Sequence, residues 1–428
     1  MPLHTKIGIG LILGMGVGVT LNIWTGGGVG VEGFVSSVTE PLGRVWLNAL
    51  IMVVIPLITC TLAVGVAALG DLRRVGRIGI LTLLCFIFLT TISSILGLVA
   101  VNVVRPGVGL DSELVERLLE TYQDQTEGAM GFAETSFGVE FFVGMIPRNP
   151  VQAAANGEML GVIVFAMLLG IGLTTLSKEK ATPFLEVLDS LGHVTIAIVR
   201  LVMQLAPYAV FFLIFSVTAR FGFDILFNLL KYVLTVIGSL TLFFVLGYSV
   251  ILTFVARRSP TEFLRQTRVV VITAFSTSSS TATLPTTMQV AQEKLGISSP
   301  IAGFVLPLGA TLNMNGSALF EGITVLFIAQ VFGADLSLSA QAVVLVLTVV
   351  TAIGAAGIPG GSIPLLMMVL GVVGVPVEGI AIVLGVDRIL DMCRTTLNVV
   401  GDLVTATVVD RFEHSMVQST TLSSNQSS

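Results

Sequence analysis

Asp387, Asp391, Arg394, Thr395, Asn398 and Asp402 sit in an apolar segment near the end of a 428-residue chain. At 100° per residue they fall in one sector of a helix, forming a polar stripe on an otherwise apolar element. At the centre of a bilayer an ionisable side chain costs roughly 3 kcal/mol or more, so four of them on one face need partners, water or a ligand. A self-contained ion-pair network would satisfy them. A site for a charged solute and its coupling ions would do so as well, and is the expectation drawn from the stripe.

The elements that hold this stripe belong in lipid. Hydrophobic residues make up 54% of the chain, charged residues 11%, and the mean hydropathy is +0.98, which excludes a soluble globular class and describes a polytopic membrane protein. A net charge of −5 with 21 Lys and Arg argues against nucleic acid as a partner. Cys60, Cys85 and Cys393 lie far apart with no metal-ligand spacing, and His4, His193 and His414 are as scattered. No cofactor is expected beyond coupling ions. The one hydroxyl-rich run has no paired His and base to activate a nucleophile, so the chain is not read as an enzyme.

Lys6 is followed by an apolar run to Trp24 with no small-residue cleavage pattern, so this is a first membrane helix rather than a signal peptide. Further runs lie near 45–70, 77–104, 158–176, 187–218 and 225–256. Basic residues cluster at Arg73, Arg74 and Arg77, at Lys178 and Lys180, and at Arg257, Arg258, Arg265 and Arg268, while the loop from Asp111 to Glu134 is acidic. The positive-inside rule then places the N-terminus in the cytoplasm and gives six spans up to Arg258. The tail 414–428 is polar and expected to be disordered.

Beyond Arg258 a plain span count fails. Ser276, Thr277, Ser278, Ser279, Ser280 and Thr281 follow an apolar stretch without a break, and Pro285 interrupts any helix there. Exposed to hydrocarbon these hydroxyls would be unsatisfied; at the tip of a re-entrant hairpin they are buried in protein. A cytoplasmic loop is the other reading. The run 299–330 is broken at Asn313-Met314-Asn315-Gly316, and a second Gly/Pro-broken segment spans Gly354 to Pro364. Loops 333–340 and 374–379 carry no Lys or Arg, as expected if the second hairpin opens outward. The order hairpin, helix, hairpin, helix suggests an inverted repeat, and paired broken segments mark substrate sites of secondary transporters.

The Ser/Thr run before TLP, the segment PLGATLNMNGS, GAAGIPGG and DRILDMCRTTLNVVGD together resemble the glutamate/aspartate and dicarboxylate:cation symporter family, most densely over 265–410. The resemblance implies an all-α, elevator-type homotrimer with eight transmembrane helices and two re-entrant hairpins, multi-pass in the plasma (bacterial or archaeal inner) membrane with both termini cytoplasmic. It divides the chain into scaffold helices 1–2 (1–70), transport-domain helix 3 (75–106), scaffold helices 4–5 (140–220) and transport-domain helix 6 (224–257). Hairpin 1 (259–293), broken helix 7 (297–332), hairpin 2 (338–375) and helix 8 (377–413) follow.

The resemblance also implies residue roles. Arg394 matches the arginine that pairs with the substrate's side-chain carboxylate, a task suited to a guanidinium fork. Asp391 matches the acceptor of the substrate's amino group, and Asn398 and Thr395 match further polar contacts. Ser278, Ser279 and Ser280 with the region around Gly357 would close on the α-carboxylate. A family hydroxyl near position 317 is left without an assigned counterpart. Sodium would be held at one site by Asp402 with carbonyls of Gly309, Asn313 and Asn398, and at a second by carbonyls of Thr311, Ala352, Ile353 and Ala355. An Asp402 solvated at the helix end is the alternative for that residue. Arginine and aspartate together favour an acidic amino acid; a C4-dicarboxylate:cation symporter is the alternative, with a channel-like anion conductance and an intramembrane hydrolase as rivals of other classes.

Four positions depart from parts of the family pattern. A third sodium site has an aspartate where this chain has Asn315, and a hydroxyl where it has Leu89, although Thr90 lies beside it. Glu321 stands where mammalian relatives have the glutamate proposed to carry a proton; desolvation there penalises the charged form, while pairing with a neighbouring cation would make it structural. Arg388, one step off the stripe, resembles the dicarboxylate branch and supplies positive charge absent from the serine tip. Glutamate or aspartate enters with charge −1, so two cations, whether Na+, H+ or one of each, are the least that lets the membrane potential drive import.

Overall fold

The computed structural model describes residues 3–25, 29–72, 77–109, 146–156, 159–221, 224–354, 357 and 360–426. Among these the chain is all helical. Helices α1 (Leu3–Thr25), α2 (Val29–Phe34), α3 (Glu40–Ile51), α4 (Val54–Leu72) and α5 (Arg77–Val104) form the first part, with a π turn at Val35–Thr39. Next come α6 (Pro150–Asn156), α7 (Met159–Thr175), α8 (Lys178–Met203), α9 (Ala206–Phe221) and α10 (Asp224–Leu242). The last runs on through π turns at Phe243–Gly247 and Ile251–Val255, flanking Tyr248. The remaining helices are α11 (Pro260–Thr277), α12 (Ser280–Glu293), α13 (Ser299–Leu312), α14 (Asn315–Val331), α15 (Leu338–Gly354), α16 (Ile363–Val372) and α17 (Ile380–Gln426).

Among the described residues, five segments are long and apolar enough to cross a membrane: Thr5–Thr25, Ile78–Val104, Lys178–Val199, Leu226–Val255 and Ser299–Val331, the last broken between α13 and α14. Shorter apolar helices include Val164–Thr175 and Leu338–Ile353. The architecture is that of a polytopic membrane protein. Helix α1 packs along α9, α7 on α4, and α14 on α5. Helices α11, α13 and α14 all pack against α17, so the polar stripe faces protein rather than lipid. Helix α14 is buried over nearly its whole length, which suits a helix that is apolar all round.

Some sequence expectations meet the structure differently. The helix carrying the stripe continues to Gln426, past the expected boundary at 413, so the backbone of 414–426 is helical. No Gly or Pro between Asp410 and Ser428 stops it. The acidic stretch Asp111–Glu134, the Arg73-Arg74 pair and Ala355 lie outside the described residues.

Candidate functional site: a buried guanidinium among carboxylates

Helix α17 buries Asp387, Asp391, Arg394, Thr395, Asn398 and Asp402 together. Arg394, 1% exposed, is the centre of the cluster. Its Nη1 donates to Asp387 Oδ1 at 2.8 Å and its Nε to Asp391 Oδ1 at 3.0 Å. The i−3 and i−7 spacings put both carboxylates on the arginine's side of the helix. Nη2 lies 3.0 Å from the same Asp391 oxygen but is not aligned for a hydrogen bond, and has no other acceptor. The guanidinium lies over the Phe320 ring of α14, 4.3 Å from its centroid, a cation–π contact that fixes the plane of the fork. The other oxygen of Asp391, Oδ2, accepts from the Gly360 amide at 3.1 Å and from Arg388 Nη1 at 3.4 Å. Gly360 thus ties the loop before α16 to the stripe.

One turn further along, Asn398 bridges to the broken helix. Its Oδ1 accepts from the Gly316 amide at 2.7 Å, satisfying one of the orphan N–H groups in the first turn of α14. Its Nδ2 reaches Met314 Sδ at 3.2 Å and Ser317 Oγ at 3.4 Å. Asp402 accepts from Asn313 Nδ2 at 2.8 Å, while the buried Asn313 Oδ1 has no partner. Gly309 makes room for this carboxylate: a Cβ there would collide with Asp402 Oδ1. Gly309, Asn313, Asn398 and Asp402 therefore cluster at the break, where oxygen ligands suit a hard monovalent cation. The Gly309 carbonyl also accepts from the Asn313 amide at 3.0 Å. Asp402 is 2% exposed, not solvated at a helix end. Of the second expected set, Thr311 is exposed at the end of α13, and Ala352 and Ile353 lie in the last turn of α15.

The serine tip meets Gly357 directly. Helix α11 ends at Thr277 and is capped by Ser278, whose φ of +50° is in the left-handed region uncommon for a residue with a side chain. Its hydroxyl is buried with no partner. Ser279 caps α12, accepting from the Ala282 amide at 3.1 Å and donating to the Gly357 carbonyl at 2.6 Å. The Thr281 amide donates to that same carbonyl at 3.2 Å. Ser280 is buried beside them. A Cβ on Gly357 would sit 2.6 Å from the Ala310 carbonyl, so only glycine permits this approach.

Glu321, 1% exposed, accepts from Thr351 Oγ1 of α15 at 2.8 Å. Among the described residues no Lys, Arg or His makes an ion pair with it; the charge that acts on it from further away is the Arg394 guanidinium. Asn315 is held from three sides. Its Oδ1 accepts from Thr90 Oγ1 at 2.8 Å, its Nδ2 donates to Tyr248 Oη at 3.1 Å, and its carbonyl accepts from Ser93 at 2.7 Å. Leu89 is buried beside this knot, without polar atoms to offer.

The family comparison decides what this arrangement belongs to. Residues 3–412 match the model of the sodium:dicarboxylate symporter family. The chain belongs to that family. It is 40% identical over 385 residues (89% of this chain, 86% of the relative) to a proton/glutamate-aspartate symporter of Escherichia coli strain K12. It is 36% identical over 416 residues (96% and 92%) to a proton/sodium-glutamate symport protein of Bacillus subtilis strain 168. A C4-dicarboxylate transport protein of Anaeromyxobacter sp. strain K is 34% identical over 380 residues (89% and 85%).

Several site residues were not singled out from the sequence. Tyr248 joins Asn315 to the Leu397 carbonyl, donating at 2.8 Å. A phenol inside an apolar span needs a hydrogen-bond partner when buried, and that was a usable signal. Ser317 supplies a hydroxyl beside Asn398, and Thr351 holds Glu321. Neither stands out among the many hydroxyls of the apolar segments.

Proposed function

We propose that the chain is a secondary active symporter importing L-glutamate or L-aspartate with Na+ and/or H+. The observation that carries the reading is the buried Arg394 fork, whose Nη2 is in ion-pair contact with Asp391 but makes no hydrogen bond. A buried guanidinium with a donor that makes no hydrogen bond matches a carboxylate, and a neighbouring aspartate matches an ammonium. Under this reading Asn398 and Thr395 complete the polar contacts. The tips at Ser278–Ser280 and Gly357 close over the α-carboxylate, Asp402 with its neighbours takes a cation, and Glu321 carries a proton. The movement is that of an elevator: 75–106 and 224–257, with everything from 259 onward, slide against a scaffold of 1–70 and 140–220, within a homotrimer of eight-span subunits whose termini are cytoplasmic.

Uptake of labelled L-aspartate into proteoliposomes, with Na+ and H+ gradients imposed separately, tests the reading. Saturable uptake driven by either gradient is expected; flux without cation dependence would indicate a channel-like pathway instead. A C4-dicarboxylate substrate is favoured by one feature, the contact of Arg388 with Asp391, which offsets the charge that an amine would need. Stronger competition by succinate than by L-aspartate would decide for it.

A further inference from the structure

On the outer side of α1, where it leaves the start of the chain, a groove of about 660 Å³ runs between this helix and the junction of α8 and α9. Its size falls in the range of ligand sites, roughly 300–1,000 Å³. It is lined by Lys6, Ile9, Leu13, Gln204, Tyr208 and Phe211, with Gly10 and Pro207 at its floor. It belongs to neither the stripe nor the hairpin tips.

Polarity is graded along this groove. Gly10 packs on Pro207 and Gly14 on Phe211, so α1 and α9 run parallel and Lys6 comes level with Gln204. One end therefore holds an ammonium and an amide, with the Tyr208 ring just below. The other end, about 10 Å further along the axis at 1.5 Å per residue, holds Leu13 and Phe211. Lys6 is the only Lys or Arg in α1, and among the described residues no carboxylate pairs with it. Tyr208 is 69% exposed, Leu13 53% and Ile9 41%, so the walls open outward rather than into the protein. A soluble ligand would meet an apolar lower half, and a purely apolar ligand would leave Lys6 and Gln204 unused. A molecule with an anionic head and a hydrocarbon tail matches both ends, and lysine and tyrosine at that level are what an interfacial headgroup recruits.

We propose that this groove is a binding site for an anionic phospholipid, with its phosphate at Lys6 and Gln204 and an acyl chain along Ile9, Leu13 and Phe211. The test is native mass spectrometry of the full-length protein released from micelles containing equimolar phosphatidylglycerol and phosphatidylcholine. The wild type should retain phosphatidylglycerol in preference. Lys6→Gln should lower that preference about five-fold, the equivalent of ~1 kcal/mol for one basic residue at an anionic surface. Leu13→Trp, which fills the lower groove but keeps the charge, should reduce retention of both lipids, with thermal unfolding of each variant confirming its fold. An unchanged preference in Lys6→Gln would overturn the proposal. So would efficient disulfide cross-linking between copies of a Tyr208→Cys variant, which would make the groove a contact between subunits.

Discussion

Replacing Arg394 by cysteine removes the only cation among the described residues that pairs with both Asp387 and Asp391. The side chain is 1% exposed and its partners are as deeply buried, so two carboxylates would be left without their main counter-charge. Breaking a buried ion pair from one side typically costs ~3–5 kcal/mol. Arg388, 3.4 Å from Asp391, offsets part of the loss there but makes no ion pair with Asp387. The arginine would also be missing as partner of a substrate carboxylate, a contact whose truncation costs ~2–5 kcal/mol. Apparent affinity for L-aspartate should therefore fall about 30- to 4,000-fold at 1.4 kcal/mol per decade. Affinity for serine, which brings no second carboxylate, should hold or improve. Binding of both amino acids by the purified protein reads the effect, and thermal unfolding separates it from loss of fold. Adding Asp387→Asn should recover stability, because one stranded charge is gone, without recovering aspartate affinity. Aspartate affinity within three-fold of wild type in Arg394→Cys would refute the assignment of the guanidinium to substrate.

Asp391→Ser should weaken L-aspartate binding by ~2 kcal/mol more than succinate binding, since only the former has an amine for the lost carboxylate; equal losses in competition assays would point to general damage. Asp402→Asn should lower apparent sodium affinity about ten-fold or more in sodium-titrated substrate binding, with substrate affinity restored at saturating sodium by linkage. Sodium-independent binding in the wild type would remove Asp402 from any sodium site. Glu321→Gln, which keeps an acceptor for Thr351 but cannot ionise, should abolish acceleration of uptake by an inward proton gradient while exchange of substrate across the membrane persists. Retained acceleration would make Glu321 structural.

The chemistry of the site was more legible than its wiring. Six polar residues on one face of an apolar segment are conspicuous in a sequence because each violates the composition around it, and α17 does bury all six. Their pairing was not legible. Asp387 appeared as one more polar position, yet it takes the shortest bond of the arginine. The contact between Ser279 and Gly357 joins residues 78 apart, and that between Asn315 and Tyr248 residues 67 apart. Spacing within a helix says nothing about such partners, because they depend on how separate helices pack. The end of the last helix is hidden for a different reason: its polar composition points to disorder, while the backbone meets no Gly or Pro after Asp410 and is helical to Gln426.

Formal charge in the buried cluster bears on how many cations the proposed cycle needs. Asp387 and Asp391 are matched by Arg394 and Arg388, two against two. Asp402 and Glu321 remain, each hydrogen-bonded to a neutral amide or hydroxyl and neither paired with a cation among the described residues. A buried carboxylate left in that state either takes a cation or is neutralised by a proton. Asn315 offers no third place of this kind, because its amide is already an acceptor for Thr90 and a donor to Tyr248 and carries no charge. Under the proposed function, and counting only cations held at carboxylates, two cations against one net negative charge on the substrate would leave one positive charge moving inward per cycle. That charge contributes about 2.3 kcal/mol for each 100 mV, roughly a fifty-fold concentration ratio. Loss of either carboxylate would forfeit this term, so substituting Asp402 or Glu321 should lower accumulation by comparable factors even though the two carboxylates lie at different places in the fold.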